Sequence, residues 1–332
     1  MYHLRPFRND DPPVLAELWN ESLPDVGAAR PLGVHEFDGL IMGKLHFDAE
    51  GLIVAVREAD RKIVGFVHAG FGPVEPEGPS LALDRELGAI VMYAVEPGLD
   101  DPELDRRLIL AAERYLRDRG AKVIYAGGQY PLNPFYWGLY GGSEFAGILG
   151  GHVGFRRAVE RAGYQAVATS VLWEADLVRP EIRDPKALLL RRLTRVEVGD
   201  DAPFERWWDS LALGHFRPTI YRLSSKIDGR YLAGAATWEM LGFRRDGLCR
   251  TGLISLDVAA DQRRKGYGRH LVAEVLRHAR TQMTEVVGVV TSMENAPALA
   301  LYKSAGFAEV DVAVLYRLPS AETDGRPIGQ EW

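Results

Sequence analysis

The chain has 332 residues, 47% hydrophobic and 26% charged, a globular composition that excludes wholesale disorder. Its 40 basic and 46 acidic residues leave a net charge of −6, which argues against a dedicated nucleic-acid binder. No apolar run reaches the length of about 18 that a transmembrane helix needs, and the opening residues lack the apolar core of a secretory signal. The single cysteine, Cys249, can form neither an internal disulfide nor a cysteine-cluster metal site. These features predict a cytoplasmic protein with no membrane, metal or nucleic-acid partner.

Length predicts about two domains, and the chain reads as two related halves. In the first, Ile53–Arg57, Ile63–Phe71 and Gly88–Val95 read as strands. Leu104, Leu108, Ala112, Tyr115 and Leu116 then form a helical stripe. Val123–Ala126 is a further strand, and a helix over Phe155–Ala162 closes on Ala162-Gly163-Tyr164. A joint is expected at Val178–Pro185, where prolines cluster.

The second half repeats the order. Asp201–Leu213 carries Phe204, Trp207, Trp208 and Leu211 at helical spacing. Tyr221–Ile227 and Tyr231–Glu239 flank Asp228-Gly229, a hairpin signal. Thr251–Val258 is a strand, followed by the basic turn Asp261-Gln-Arg-Arg-Lys-Gly-Tyr-Gly268 and a helix marked by Leu271, Val272, Val275, Leu276, Ala279 and Met283. Val286–Thr291, a helix over Ala296–Ala305 and a closing strand over Glu309–Leu318 complete it. Val95 to Gly163 spans 68 positions and Val258 to Gly306 spans 48, so the first copy carries about 20 extra residues within Gly127–Gly151. The expectation is a mixed α/β fold of two tandem domains, 1–178 and 187–318, with a polar tail, 319–332.

The glycine turn carries the most chemistry. Glycines between a strand and a helix let consecutive amides curl inward, and the helix start adds further amides, a nest suited to a pyrophosphate. Arg263, Arg264 and Lys265 add attraction for an anion. A basic loop capping a surface helix is the plainer alternative. The spacing fits neither a dinucleotide-binding fingerprint nor a P-loop.

The run Leu256-Asp-Val-Ala-Ala-Asp-Gln-Arg263-Arg-Lys-Gly266-Tyr-Gly268-Arg-His-Leu271 closely resembles the acyl-CoA-binding motif of the GNAT N-acetyltransferase superfamily. Asn295-Ala-Pro-Ala-Leu-Ala-Leu-Tyr302-Lys-Ser-Ala-Gly306-Phe307 is similar to that family's second landmark. The resemblance implies acetyl-CoA as cofactor and transfer to the amine of a small molecule or peptide, by a monomer or homodimer. It implies that backbone groups of Leu256 and Val258 bind the pantetheine arm, and that Arg263, Arg264, Lys265, Gly266, Tyr267, Gly268 and Arg269 surround the pyrophosphate. Asn295 would contact the cofactor, or simply cap its helix; Tyr302 would protonate the departing thiolate, or simply pack.

A thiol of pKa ~8.5 leaves readily near pH 7, but deprotonating an amine of pKa ~10.4 costs about 4.6 kcal/mol there. Asp257 and Glu239 are the candidate bases, each with a solvated-face alternative. Family members often carry a glutamate earlier on this strand, where Thr251-Gly252-Leu253-Ile254 has no carboxylate. A non-catalytic acyl-CoA-binding regulatory or scaffold module is the rival reading. After Val95 the first copy reads Glu96-Pro-Gly-Leu-Asp-Asp-Pro-Glu-Leu-Asp105, whose acids and prolines predict no ordinary CoA binding there. The aromatic, glycine-rich insertion Gln129–Phe145 reads as a structural loop, a pocket lining or a wrap of one half onto the other, and His215 and Cys249 as structural.

Overall fold

The protein is described by a computed structural model over residues 1–24, 33–74, 80–129, 132, 143, 146–179, 186–200, 207–213, 218–240 and 247–320. His215, most of the insertion and most of the tail lie outside the described residues. The first half runs β1 (Tyr2–Pro6), α1 (Pro12–Ser22), α2 (Val34–Leu40), β2 (Leu52–Arg57), β3 (Ile63–Pro73), β4 (Leu83–Val95), α3 (Pro102–Asp118), β5 (Val123–Ala126), β6 (Ile148–Leu149), α4 (Val153–Arg161) and β7 (Gln165–Asp176). The second runs α5 (Ala187–Leu193), β8 (Thr194–Asp200), α6 (Trp207–Leu213), β9 (Thr219–Ser225), β10 (Tyr231–Glu239), β11 (Arg250–Val258), α7 (Tyr267–Thr281), β12 (Val286–Ser292), α8 (Ala296–Ser304) and β13 (Ala308–Arg317).

The local expectations reappear with small boundary shifts. The β9–β10 hairpin turns at Asp228-Gly229, with Gly229 at φ +69° and the Asp228 carboxylate accepting from the Arg230 amide at 3.2 Å. Leu271, Val272 and Val275 are fully buried on one face of α7, but Met283, expected on that face, lies beyond the helix end at Thr281, exposed and at φ +60° in the turn that leaves it. Trp208 is a core residue, as expected, while Trp207 is half-buried with its ring 6.2 Å from that of His46.

All thirteen strands of the described residues join one mixed sheet, in the order β1-β2-β3-β4-β5-β13-β7-β12-β11-β10-β9-β8, with β6 on β13. That order departs from two self-contained repeats. β7, the last strand of the first half, pairs with β12 and β13; β13, the last strand of the second, pairs with β5, β6 and β7. The halves have exchanged their closing strands.

Alternation along the strands separates the layers. On β3, Phe66 joins the core under α1, α2 and α6, and Val67 the core under α3 and α4. The former runs through both halves, from Trp19 and Phe37 to Ala212, Trp238 and Met240. α7 and α8 cover the second half on the other face, over Leu223, Ala235, Leu253 and Val289. Lys44 adds a polar tie between the halves, its Nζ donating to the Leu211 carbonyl on α6 at 2.8 Å.

Candidate functional site

β11 is flanked on both sides only at its start. Arg250–Leu253 lie parallel to Val286–Val289 of β12, whereas β10 follows β11 to Val258. A register shift at Ala236/Thr237 leaves Ile254 as a bulge residue, and such a bulge bends the strand away from its neighbour. Among the described residues, no strand pairs with the other edge of Ser255–Val258. The Ala259 amide donates toward β10, to Leu232 at 3.0 Å. Because backbone groups alternate along a strand, those of Leu256 and Val258 face the open edge.

A short 3-10 turn, Ala260–Gln262, leads from that edge into the glycine turn. Arg264 at φ +63° and Gly266 at φ +91° are both left-handed, flanking Lys265. Gly266 is the N-cap of α7 and no side chain caps the helix. The His270 amide makes the first return bond, to the Gly266 carbonyl at 3.0 Å. The amides before it point out of the positive end of a 15-residue helix. Arg263, Arg264 and Lys265 are exposed around them; Arg263 Nε donates to the Val258 carbonyl at 3.3 Å and Lys265 Nζ to Gln262 Oε1 at 3.1 Å.

Gly268 packs this corner together. A Cβ there would lie 3.2 Å from Val258 Cγ2 and 3.7 Å from Leu301 Cδ2, so strand end, helix start and α8 meet with little spare room. Tyr302, next along α8, is 5% exposed with its ring 5.5 Å from Phe307. Asn295 caps α8, Oδ1 accepting from the Ala298 amide at 3.2 Å, which leaves its amide nitrogen for other work. An open strand edge, outward amides and a glycine at the contact point fit a thioester carrier with an amide-bearing arm and a diphosphate.

The two candidate bases fall at opposite ends of the β10–β11 ladder. Asp257 is exposed next to Leu256 and Val258 and accepts from the Tyr231 hydroxyl. That bond passes over Gly234, where a Cβ would lie 2.8 Å from Asp257 Oδ1. Burial, then the bond to Asp257, raises the Tyr231 phenol well above its ordinary value. Glu239 is exposed opposite Thr251, six ladder positions from Ala233, the partner of Val258, or about 20 Å along the sheet. Half-buried Cys249 precedes β11 at that same far end.

The first half repeats the frame without the cradle. The pairs Leu87–Val123 and Ile90–Ala126 shift by a constant 163 positions onto Arg250–Val286 and Leu253–Val289 (250 − 87 and 289 − 126). The bulge residue Val91 shifts onto Ile254 in the same way. Chemistry differs at each matched place. Asp101, at the place of Arg264, caps α3 by accepting from the amides of Glu103 and Leu104 at 3.0 and 3.2 Å, so the helix start is satisfied internally. Asp105, at the place of Gly268, is 2% exposed; it accepts from the Tyr93 hydroxyl and pairs with Arg161 at 3.2 Å. Tyr93, at the place of Leu256, stacks on Phe155 with centroids 5.6 Å apart. The groove that is open in the second half is filled here by buried side chains. Asp105→Ala should leave the Tyr93 hydroxyl unpaired and lower unfolding stability by about 1–3 kcal/mol. Urea unfolding measures that loss, and acetyl-CoA affinity should stay within twofold of wild type.

Sequence reasoning reached the turn but missed Gly234, Leu301 and Tyr231. Their one available signal was the period-2 placement of Gly234 between Ala233 and Ala235 in a strand.

Residues 187–307 match the Acetyltransferase (GNAT) family. A mycothiol acetyltransferase from Clavibacter michiganensis subsp. michiganensis (strain NCPPB 382) is 32% identical over 126 residues, 38% of this chain and 36% of that protein. The chain therefore aligns with little more than a third of that relative's length. Among solved structures, a GCN5-related glucosamine N-acetyltransferase region of a fungal multi-domain GH3 β-N-acetylglucosaminidase has a TM-score of 0.67 at 18% identity, over 96% of this chain and 38% of that one. A GCN5-related N-acetyltransferase from Sphaerobacter thermophilus has a TM-score of 0.63 at 14% identity, over 97% and 98% of the two chains. A tandem GNAT protein from the clavulanic acid biosynthesis pathway has a TM-score of 0.62 at 14% identity, over 98% and 100%. The fold is like that of the tandem GNAT protein over nearly the whole chain. No described helix is long and apolar enough to cross a membrane.

Proposed function

We propose that residues 187–307, the segment that matches the GNAT family, transfer an acetyl group from acetyl-CoA directly to a primary amine, and that the first half holds no acetyl-CoA. The observation that carries this reading is the uncapped start of α7 beside the open edge of β11, set against the self-capped α3. Bound acetyl-CoA supplies the acetyl group already activated as a thioester.

Each residue has a defined task. Backbone groups of Leu256 and Val258 bind the arm as a neighbouring strand would. Amides from Arg264 through Arg269 hold the diphosphate, each charge-assisted bond contributing roughly 1.5–3 kcal/mol. The guanidinium and ammonium groups of Arg263, Arg264, Lys265 and Arg269 draw the polyanion toward the turn. Asn295 contributes its side-chain amide nitrogen. Tyr302 gives its hydroxyl proton to the departing sulfur. The acceptor's proton passes to water; neither Asp257, beside Leu256 and Val258, nor Glu239, opposite Thr251, is assigned that step.

Calorimetric titration of the intact chain with acetyl-CoA is expected to give one site per chain. Two sites would return the first half to function, and no binding at millimolar cofactor would end the reading. Tyr302→Phe should bind acetyl-CoA within twofold of wild type and release CoA thiol roughly tenfold to hundredfold more slowly, since general-acid help is moderate for so good a leaving group. Binding without thiol release across a broad amine panel would identify an acyl-CoA-responsive module instead of an enzyme.

A further inference from the structure

The first half also reaches β11 of the second half. Gly252 pairs with Trp238 on β10, two residues before the Ile254 bulge. A Cβ on Gly252 would lie 2.5 Å from Trp238 Nε1 and 2.9 Å from Cα of Ser143, so the place of the missing side chain is already occupied. Ser143 belongs to the Gly127–Gly151 insertion of the first half. Trp238 Nε1 donates to its carbonyl at 3.0 Å, which fixes its backbone. Its side chain is 1% exposed, and its hydroxyl has no hydrogen-bond partner among the described residues.

Resting on the transfer reading above, we propose that Ser143 is the acceptor-contacting residue of the second half's site: its hydroxyl bonds the nitrogen of a small primary amine. An arm held at Val258 and Leu256 runs from the glycine turn toward the bulge, so its acyl end lies on the Ile254 side. Thr251–Ile254, the stretch without a carboxylate, borders that end, and Ser143 covers it. A buried hydroxyl with no partner is a group for which a ligand atom supplies the missing bond. It can accept one N–H of the amine and leave the nitrogen lone pair for the thioester carbon. Lys44 holds the same face from a second point, tying the first half to α6 through the Leu211 carbonyl; Ala212 of α6 and Trp238 share one core. Burial lowers the Lys44 ammonium to a pKa of about 8, as a group enclosed between the halves requires. The first copy has thus lost its cofactor cradle and kept a position in the acceptor wall.

The test compares wild type, Ser143→Ala and Ser143→Thr. CoA thiol release is followed with ethanolamine, putrescine, glucosamine and lysine, using the best of them, or water if none exceeds hydrolysis. Ser143→Ala is expected to lower kcat about tenfold with acetyl-CoA affinity within twofold, and Ser143→Thr, which keeps the hydroxyl, to recover at least half of the rate. An unchanged kcat in Ser143→Ala overturns the proposal. So does a parallel loss of acetyl-CoA affinity, which would mark a packing role, and so does failure of Ser143→Thr to recover. A wild type that binds acetyl-CoA but releases no thiol to any amine or to water also ends it. A wild type that does not bind acetyl-CoA removes the underlying reading first.

Discussion

Gly268→Asp is expected to weaken acetyl-CoA binding at least hundredfold while the protein stays folded. A hundredfold loss corresponds to about 2.8 kcal/mol, and two effects supply it. The new Cβ would stand 3.2 Å from Val258 Cγ2, so the strand end must give way by a few tenths of an ångström, while Leu301 Cδ2 at 3.7 Å is in ordinary contact. The carboxylate would then lie in the first turn of α7, where it can take the outward amides for itself and repel a diphosphate. The first half already displays this arrangement, with Asp105 at the matching place, buried and bonded to Tyr93 and Arg161. Gly268 is not at positive φ, so aspartate meets no backbone strain there. Gly268→Ala, which adds the crowding without the charge, should lose much less affinity. Calorimetry on the three proteins, with thermal midpoints as a folding control, measures the difference. Binding by Gly268→Asp within threefold of wild type would refute the placement of the diphosphate at this turn.

What could be read in the sequence follows from how local each cause is. The glycine turn was legible because left-handed backbone at Gly266 and an uncapped helix start are properties of a few consecutive residues. The capped helix start of the first half was legible for the same reason: Asp101-Pro102-Glu103 is at once a cap signature and a set of charges that a phosphate avoids. The filling of the old groove was less visible. Tyr93 and Asp105 meet because β4 and α3 are adjacent in space, and the pattern marks both only as strand and helix residues. Partner choice was not legible at all. β7 and β13 have similar length and burial, so nothing in either segment says whether it closes its own half or the other. The contact of Ser143 with Gly252 spans 109 positions (252 − 143), and the sequence offered a wrap of one half onto the other as one of three readings of the insertion without naming the residues that meet. Asp257 and Glu239 were both found as carboxylates on neighbouring strands, but only the ladder register separates them by most of its length.

The exchange of closing strands sets the largest expected effect on stability. Residues 1–178 and 187–332, produced as separate polypeptides, should each fail to fold alone and should copurify as a folded pair when coexpressed. In the intact chain β7 has β12 on one side and β13 on the other, both from the second half. β13 in turn lies between β5 with β6 and β7, all from the first. Separation therefore strips each closing strand of every strand neighbour it has. Each backbone bond exchanged for water removes roughly 0.5–1.5 kcal/mol, and those of two strands together reach the roughly 5–15 kcal/mol by which a domain is stable. The core under α1, α2 and α6 would also be split, exposing Trp238, Met240 and Ala212 in one fragment and Trp19 and Phe37 in the other. The competing outcome has a definite structure: β7 could fold back beside β5, into the slot that β13 occupies, as strand swapping permits when the hinge allows it. A fragment 1–178 that is monomeric and unfolds cooperatively near the midpoint of the full chain would show that this closed form is accessible. In that case exchange is a choice between two sheets of similar stability. If instead only the pair folds, the second half depends on the first for its closing strand, even though the glycine turn lies in the second half.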